Sequence, residues 1–438
     1  MHSKLIFDNI HQYIEIKPTA KIIMDSKPFQ RLRQISQLGA CQYVFPCGNH
    51  SRFEHSLGVY YLAGKMLENI RKNSKESVVI VEINQFGKVE LTDKIIELVK
   101  IGGLCHDLGH GPFSHVFDDL ILKDVDHENK YHEIRSCKIL EKIIVENVNK
   151  HEYIIENGLI LGEKEIQFIQ DIINPSKTNT SFIYQIVSNN LNSVDVDKFD
   201  YISRDATNVG LKNSFDYSRL LEEAKIIDNK ICYPKQTYLH LCSLFTTRYY
   251  LHKQIYNHKA VKSIEYMIED MIRLLDPILN IKDSIKDLEK FIIFTDNFFA
   301  NFLDFTKENN NQNISKAKEI LDKLKRRELY KFVGSYTVTE NKPKIICHND
   351  FTNICPQIKN DDLIISVVKI GYVSGDKENP LDNIYLYDKK NSNKCFKINK
   401  EDVTNFLPKS YQEICVKVFC KNKYMFDDIY NTFYKLNY

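Results

Sequence analysis

The chain has 438 residues, enough for one large catalytic domain with a smaller lobe or for about three domains of ordinary size. Hydrophobic residues make up 43% and charged residues 27%, and 60 basic against 58 acidic side chains leave a formal charge of +2. These values exclude disorder driven by charge and argue against general polyanion binding. Only 15 glycines and 11 prolines are present, and this scarcity of helix breakers predicts a mostly α fold.

The cysteines and the N-terminus bear on the compartment. The chain has 11 cysteines, an odd number without a C-x-x-C pair, so neither a zinc ribbon nor a disulfide framework is indicated. The N-terminus has no apolar signal-peptide core, and no stretch approaches the roughly 18 uninterrupted apolar residues of a membrane span. We therefore predict a soluble protein of a reducing, cytoplasmic compartment, without a membrane partner.

Up to residue 335 the patterns are mainly helical. Residues 26–40 place apolar side chains at helical spacing, and residues 92–105 do so behind Thr92 as an N-cap. Pro112 suits the first turn of a helix over 112–122, on which His115 and Asp118 would share a face. Further helices are predicted over 133–147, 241–275, 285–306 and 315–331, with a polar loop at 307–313.

The character changes in the last part of the chain. Residues 363–370, 382–388 and 414–420 are short β-branched or alternating runs separated by turn residues. A last helix is predicted over 423–436. The chain therefore divides into a mostly α core over 1–335 and a small C-terminal α+β lobe over 336–438.

One short segment concentrates groups that bind metals or transfer protons. GLCHDLGHGPFSH brings four of them into ten residues, namely His106, Asp107, His110 and His115. Upstream, RFEHSLG adds Arg52 and His55, and downstream a predicted helix, DVDKFDYISRD, adds Asp195, Asp197, Lys198, Tyr201 and Asp205. Two histidines and two aspartates suit an Fe, Mn, Zn or Mg ion with positions left open for water. From the residues alone, Asp197 fits a solvated acidic helix face equally well.

Several segments, in order and spacing, resemble one family. FQRLRQISQLG, YVFPCGNHSRFEHSLGVYYLAG, GLCHDLGHGPFSHVFD, IVSNN, VDKFDYISRD, NSFDYSRL and TRYYLHKQIYNHK are similar to the HD-domain core of the SAM- and HD-domain-containing deoxynucleoside triphosphate triphosphohydrolases, without the SAM domain. The resemblance implies a helical HD-domain phosphohydrolase core over 1–335 and a regulatory or oligomerisation lobe over 336–438. It also implies one transition metal, Fe, Mn or Zn, held by His55, His106, Asp107 and Asp197.

The resemblance further implies roles around the substrate. Arg52, Lys198 and Arg248 would contact the triphosphate. Gln37 and Asp205 would bond the 3′-hydroxyl, while Leu38 and Tyr256 would exclude a 2′-hydroxyl. The remaining substrate positions are Asp195, Tyr201 and Asn257. The side chain of Asn257 is one methylene shorter than the glutamine that the family has at this position. The catalytic positions are His110, His115, His132 and Asp118, with His115 as general acid and Asp118 orienting it.

Regulation is the last property that the resemblance implies. GTP or dGTP and a dNTP would act as activators, with Mg²⁺ accompanying the triphosphates, and a homotetramer would assemble. The matching positions are Lys4, Leu5, Asp25, Gln30, Arg33, Val44, Phe45, Arg219, Lys235, His258, Lys259, Arg327, Lys331 and Lys421. Phe7 and Pro234 depart from the family's pattern and bear on the second activator.

The sequence therefore predicts a metal-dependent dNTP triphosphohydrolase that releases deoxynucleoside and inorganic triphosphate. One alternative is an HD-domain hydrolase of nucleoside monophosphates or cyclic nucleotides, which would not need Lys198, Tyr201 and Arg248 together. The other is a non-catalytic binder of nucleotides or single-stranded nucleic acid, for which a net charge of +2 offers no basic excess.

Overall fold

A computed structural model describes residues 2–74, 78–212, 215–307, 310–340, 344–372, 379–397 and 410–436. Most of the regular structure is helical, which confirms the predicted fold class. The helices are α1 Pro18–Met24, α2 Lys27–Gln30, α3 Arg52–Asn73, α4 Asp93–Cys105, α5 His132–Ile143, α6 Glu152–Glu156, α7 Glu163–Ile173, α8 Val196–Val209, α9 Ser218–Glu223, α10 Tyr238–Tyr250, α11 Lys259–Leu279, α12 Leu288–Phe291, α13 Phe298–Phe305, α14 Gln312–Lys325, α15 His348–Ile354 and α16 Phe426–Lys435.

The strands form small sheets. They are β1 Lys4–Asp8, β2 Gln12–Ile16, β3 Ile80–Ile83, β4 Gly87–Glu90, β5 Lys225–Ile227, β6 Lys230–Pro234, β7 Lys331–Thr337, β8 Leu363–Gly371, β9 Tyr385–Asp388, β10 Asn391–Phe396 and β11 Gln412–Cys420. β1 with β2 and β3 with β4 are antiparallel hairpins, and β11 lies between β7 and β8. A further sheet in the order β10-β9-β6-β5 joins strands from both parts of the chain, because β6 pairs in parallel with β9.

Helix α3 is central to the core and to the site. It begins with a capping box, in which Ser51 and Glu54 satisfy each other's backbone amides. It packs against α4, α8 and α9. At Gly58 a Cβ atom would lie 1.8 Å from Oδ1 of Asp200 on α8, so only glycine lets the two helices approach this closely.

Besides a small cluster of Ile227, Cys232 and Tyr387, two hydrophobic clusters form the core of the described residues. The larger one joins residues from Ile14 to Leu386, including the buried faces of α3, α4, α8 and α11. The smaller one lies in the C-terminal part, where strands β7 and β11 pack against α16. The predicted boundary at residue 335 lies within β7, and the division into 1–335 and 336–438 stays a prediction.

Several predicted elements are confirmed. Thr92 caps α4 as predicted, since its side chain accepts a hydrogen bond from the Ile95 amide. α5 continues through a π-helical turn to Val148, and β8, β11 and α16 lie within or close to the predicted ranges. Among the described residues, no helix combines the length and apolar character required to cross a bilayer. The cytoplasmic location stays a prediction.

Other helices were predicted too long. In 26–40, Ile35 is extended because its carbonyl accepts from the Arg52 amide, 2.9 Å away. The helix over 112–122 is replaced by a π-helical turn from Phe117 to Ile121, since Phe113 and Ser114 have positive φ. Predicted helix 241–275 breaks between 256 and 259, and 285–306 breaks between α12 and α13. Predicted helix 315–331 instead spans Gln312–Lys325, and loop positions 308–309 lie outside the described residues.

Candidate metal centre and active site

Three helix ends bring the predicted metal ligands together. His55 lies in the first turn of α3, His106 and Asp107 follow the last turn of α4, and Asp197 lies in the first turn of α8. The Nε2 atom of His55 is 3.2 Å from Nε2 of His106, 3.1 Å from Asp197 Oδ1 and 3.5 Å from Asp107 Oδ2. His106 Nε2 lies 3.5 Å from an oxygen of each aspartate.

These separations fit a first-row divalent ion. Ligands about 2.1 Å from one centre are roughly 3.0–3.4 Å apart in octahedral or tetrahedral geometry. His55 Nδ1 contacts Asp200 Oδ2 at 2.7 Å, and His106 Nδ1 contacts the Gly103 carbonyl at 2.8 Å. With Nδ1–H donating in each ring, both Nε2 lone pairs are directed at one another, which is the arrangement that a bound cation requires.

The electrostatics of the cluster favour a positive charge. Burial opposes ionisation of Asp197, but hydrogen bonds from His106 and His55 outweigh it and hold its pKa well below the ordinary value. Burial also lowers the pKa of His55, yet Asp197 and Asp200 raise it to about 10. A metal ion bound by His55 Nε2 would take the place of the proton on that nitrogen.

A second group of histidines lies beside the metal cluster. The ring of His110 stacks on His132 with centroids 3.9 Å apart, and its Nε2 is 3.3 Å from Asp107 Oδ1. Burial and the nearby Arg52 lower the pKa of His110 to about 3, so this imidazole is neutral. Burial also lowers the pKa of His132, but Asp118 outweighs it and raises the pKa above its ordinary value.

The position of Asp118 differs from the prediction. Its Oδ2 lies 3.3 Å from His110 Nδ1 and 3.4 Å from His132 Nδ1, and its Oδ1 accepts from Arg135. Among the described residues, no hydrogen bond or ion pair joins Asp118 to His115. The His115 side chain is instead 69% exposed, with Nδ1 3.9 Å from Asp119, and the Asp118 carboxylate is bound by Arg135.

Buried groups distant in sequence fix the loop that carries these histidines. Arg135 Nε donates to the Gly109 carbonyl at 2.7 Å, and Arg31 Nη1 donates to the His110 carbonyl at 2.9 Å. Asp296 accepts from the Ser36 amide at 2.8 Å and the Phe113 amide at 2.6 Å. None of Arg31, Arg135 and Asp296 was predicted, since no local pattern indicates a partner up to 263 residues away.

Each of the predicted triphosphate cations has a protein partner, and Arg52 contacts the cluster itself. Arg52 Nη1 donates to Asp107 Oδ2 at 2.5 Å. Lys198 Nζ donates at 3.0 Å to Asp195, whose carboxylate also caps α8. Arg248 donates at 3.2 Å to the Tyr201 hydroxyl and at 2.6 Å to the Gly371 carbonyl of β8. The Arg248 guanidinium therefore links the cluster side of α8 to the C-terminal sheet.

The predicted sugar pocket centres on Asp205. Tyr256 donates its hydroxyl to Asp205 Oδ2 at 2.5 Å, and Nε2 of His50, which was not predicted, lies 2.7 Å from Oδ1. Gln37 Oε1 is buried without a hydrogen-bond partner in the part of the chain that the structure describes, as expected of a group that awaits a ligand. Leu38 is buried nearby in sequence, whereas Asn257 uses its amide locally, donating to the His252 carbonyl.

Comparisons with known proteins agree with this geometry. A family model described as HD domain matches residues 52–174. A putative HD domain-containing protein of Acanthamoeba polyphaga mimivirus is 40% identical over 442 residues, which cover 97% of this chain and 94% of the relative. The deoxynucleoside triphosphate triphosphohydrolase SAMHD1 homolog of Dictyostelium discoideum is 36% identical over 439 residues, covering 99% and 80%, and human SAMHD1 is 34% identical over 459 residues, covering 95% and 70%. This chain belongs to the SAMHD1-like family of HD-domain phosphohydrolases.

In this SAMHD1-like protein the predicted guanine-binding residues lie near the N-terminus. Gln30 Nε2 donates to the Met24 carbonyl at 2.7 Å, and Arg33 Nε donates to Gln30 Oε1 at 2.9 Å. Asp25 is exposed at the end of α1. Lys4 and Leu5 are exposed on β1.

The second set of predicted regulatory residues is only partly gathered. Phe45 packs on His258 with ring centroids 5.6 Å apart, and Arg327 donates to the Tyr43 carbonyl at 2.9 Å, one residue before Val44. His258 and Lys259 line a cleft of about 720 Å³ together with Lys253 and Lys417. The others make different contacts: Arg219 pairs with Glu223, Lys421 pairs with Asp270, Lys331 lies over the Phe426 ring, and Lys235 is exposed.

Proposed function

We propose that this SAMHD1-like phosphohydrolase cleaves dNTPs into deoxynucleoside and inorganic triphosphate. The observation that carries the proposal is the convergence of His55 Nε2, His106 Nε2 and Asp197 Oδ1 at separations of 3.1–3.5 Å, with a different carboxylate oxygen of Asp107 3.5 Å from each imidazole Nε2. The names of the Dictyostelium and human relatives give the same activity for those proteins. The proposed division is a catalytic core over 1–335 and a regulatory or oligomerisation lobe over 336–438.

The four ligands would hold Fe, Mn or Zn, with Mg²⁺ accompanying the triphosphate. A divalent ion there lowers the pKa of water and offsets charge on the phosphoryl oxygens. Arg52, Lys198 and Arg248 bind the triphosphate oxygens. Asp205 and Gln37 form hydrogen bonds with the 3′-hydroxyl, and the Tyr256 ring leaves no room for a 2′-hydroxyl.

The chemical step exchanges one bond at the α-phosphorus. The oxygen of water forms a bond to that phosphorus, and the bond from phosphorus to the 5′-oxygen breaks. His115, exposed at the rim, donates the proton that the departing 5′-oxygen needs and regains one through solvent. The neutral, buried His110 and the neighbouring His132 lie beside the metal cluster. Asp118 orients these two rings rather than His115.

We also propose regulation by nucleotides. GTP or dGTP would bind at Asp25, Gln30 and Arg33, because a carboxylate accepts from the guanine N–H groups and Arg or Gln donates to its acceptors. A dNTP would bind near Phe45, His258 and Lys259, and binding would assemble a homotetramer. The close approach of Phe45 to His258 supports a shared second site.

The test is a product analysis with the full-length protein. Each dNTP is incubated with and without GTP and Mg²⁺, and the phosphate product is separated by ion chromatography, with Asp197→Ala as the matched control. We expect inorganic triphosphate from the wild type only. Orthophosphate or pyrophosphate would support the hydrolase of another nucleotide class, and absence of turnover would support a non-catalytic binder.

A further inference from the structure

A buried carboxylate lies directly behind the metal ligand His55. Asp200, one helical turn after Asp197 on α8, is 0% exposed, and its Oδ2 is 2.7 Å from His55 Nδ1. A carboxylate at this place fixes the tautomer and the ring orientation of a histidine that binds a metal through its other nitrogen.

All four acceptor positions of the Asp200 carboxylate are used. Oδ2 also accepts from Arg204 Nε at 2.9 Å, while Oδ1 accepts from Arg204 Nη2 at 2.9 Å and lies 2.6 Å from His11 Nε2. Arg204 in turn donates at 2.8 Å to Asp8 of β1. The carboxylate is therefore held from one side by its own helix and from the other by the N-terminal hairpin.

His11 is the contact that comes from the turn between β1 and β2. Its backbone amide donates to Asp8 Oδ1 at 2.8 Å, which fixes the turn. The Tyr217 hydroxyl lies 2.9 Å from His11 Nδ1. With the hydroxyl donating to Nδ1, the ring carries its proton on Nε2 and donates it to Asp200.

We propose that His11 is a positioning residue for the metal ligand His55, acting through Asp200, with Tyr217 fixing the tautomer of His11. The proposal rests on the proposed metal centre. It makes the N-terminal hairpin, which is 44 residues from His55 in the sequence, a contributor to metal affinity. His11 touches neither the ligand atoms nor the predicted substrate positions in the described part of the chain.

Substitution of His11 removes one of the two donors that form hydrogen bonds with Asp200 Oδ1. Without His11, Asp200 is held only by Arg204 and His55, so the carboxylate can rotate toward Arg204 and weaken its hydrogen bond to His55 Nδ1. Loss of a group bonded directly to a metal-binding histidine lowers metal affinity by about 10–100-fold in other proteins, and His11 lies one contact further from the metal, so its loss should cost less. Tyr217→Phe removes only the tautomer lock and should have a smaller effect.

The experiment measures Mn²⁺ affinity of the full-length protein by equilibrium dialysis against Mn²⁺–chelator buffers. We expect His11→Leu to weaken binding by several-fold, up to about tenfold. His11→Gln should restore most of the affinity, because its Nε2 can donate to Asp200 from nearly the same place, and Tyr217→Phe should fall between. Tyr233→Phe is the matched control, since the Tyr233 hydroxyl is buried without a partner among the described residues.

A second readout separates positioning from general destabilisation. The visible absorption spectrum of the Co²⁺-loaded protein should change for His11→Leu and not for Tyr233→Phe. Wild-type Mn²⁺ affinity in His11→Leu, or His11→Gln binding no better than His11→Leu, would overturn the proposal. If His11→Leu does not fold, the Gln and Phe variants decide. Failure of the wild type to bind Mn²⁺ would instead refute the metal centre itself.

Discussion

Gly58→Ala should lower the stability and the metal content of the protein by disturbing the contact between α3 and α8. The added Cβ would lie 1.8 Å from Asp200 Oδ1 and 2.7 Å from Arg204 Nη2, both fixed in a buried network. To regain an ordinary separation of about 3.5 Å, Oδ1 must move by roughly 1.7 Å from that 1.8 Å contact. Such a shift breaks the hydrogen bonds that Oδ1 accepts from His11 and Arg204.

The expected loss in the free energy of unfolding follows from those two hydrogen bonds. Each charge-assisted hydrogen bond is worth about 1.5–3 kcal/mol, and alanine regains about 1 kcal/mol of helix propensity over glycine. The free energy of unfolding should therefore fall by about 2–5 kcal/mol. Bound Mn²⁺ should fall with it, because Asp200 holds the ligand His55.

Gly64→Ala on the same helix is the matched control. Its Cβ would meet only the side chain of Lys100, at 2.9 Å from Cδ, and a lysine methylene chain can move aside. This variant should change the free energy of unfolding by no more than about 1 kcal/mol. Urea unfolding and metal analysis of both variants provide the measurement. A Gly58→Ala protein as stable and as metal-loaded as Gly64→Ala would refute the reasoning.

Four further predictions concern the metal, its pH dependence, the sugar and the activator. His106→Ala should lose the metal and all turnover, and full metal content in this variant, measured by elemental analysis, would disprove the site. Because the pKa of His55 is raised to about 10, the metal-free protein holds a proton on this side chain near neutral pH, and metal binding should release it, so Mn²⁺ affinity should fall as pH falls. Calorimetry in buffers of different ionisation enthalpy should detect the release of about one proton. Release of no proton would contradict this prediction. Wild-type protein should not consume GTP, whereas Tyr256→Ala should raise the rate ratio of GTP to dGTP hydrolysis; equal wild-type rates would refute the sugar pocket. Asp25→Ala should retain its metal and lose activation by GTP, measured as rate against GTP concentration, and an unchanged activation curve would refute the guanine site.

Local signals predicted the elements that local interactions determine. Thr92 and the apolar face behind it sufficed for α4, and β-branched runs sufficed for β8 and β11. The helices predicted too long end where a tertiary contact is stronger than helical periodicity. Ile35 pairs with the start of α3, and Asp296 interrupts the predicted helix over 285–306 to bind the backbone of Ser36 and Phe113.

The candidate site likewise contains residues that local sequence signals predicted and residues that they did not. Clustering in GLCHDLGHGPFSH and the family resemblance predicted the histidines and aspartates that the structure brings together as candidate metal ligands. Helical spacing misplaced His115 against Asp118, because Asp118 instead binds Arg135, 17 residues further along the chain. His11, His50 and Asp200 were not assigned, since each acts on a partner that is far away in the sequence: His11 lies 189 residues from Asp200, and His50 lies 155 residues from Asp205.

Isotope labelling follows the bond that is proposed to break. The full-length protein is incubated with a dNTP in water enriched in oxygen-18, and both products are analysed by mass spectrometry. Attack of water on the α-phosphorus places one labelled oxygen in the inorganic triphosphate and none in the deoxynucleoside. Label in the 5′-hydroxyl of the deoxynucleoside, or release of a deoxynucleoside monophosphate, would contradict the proposed reaction.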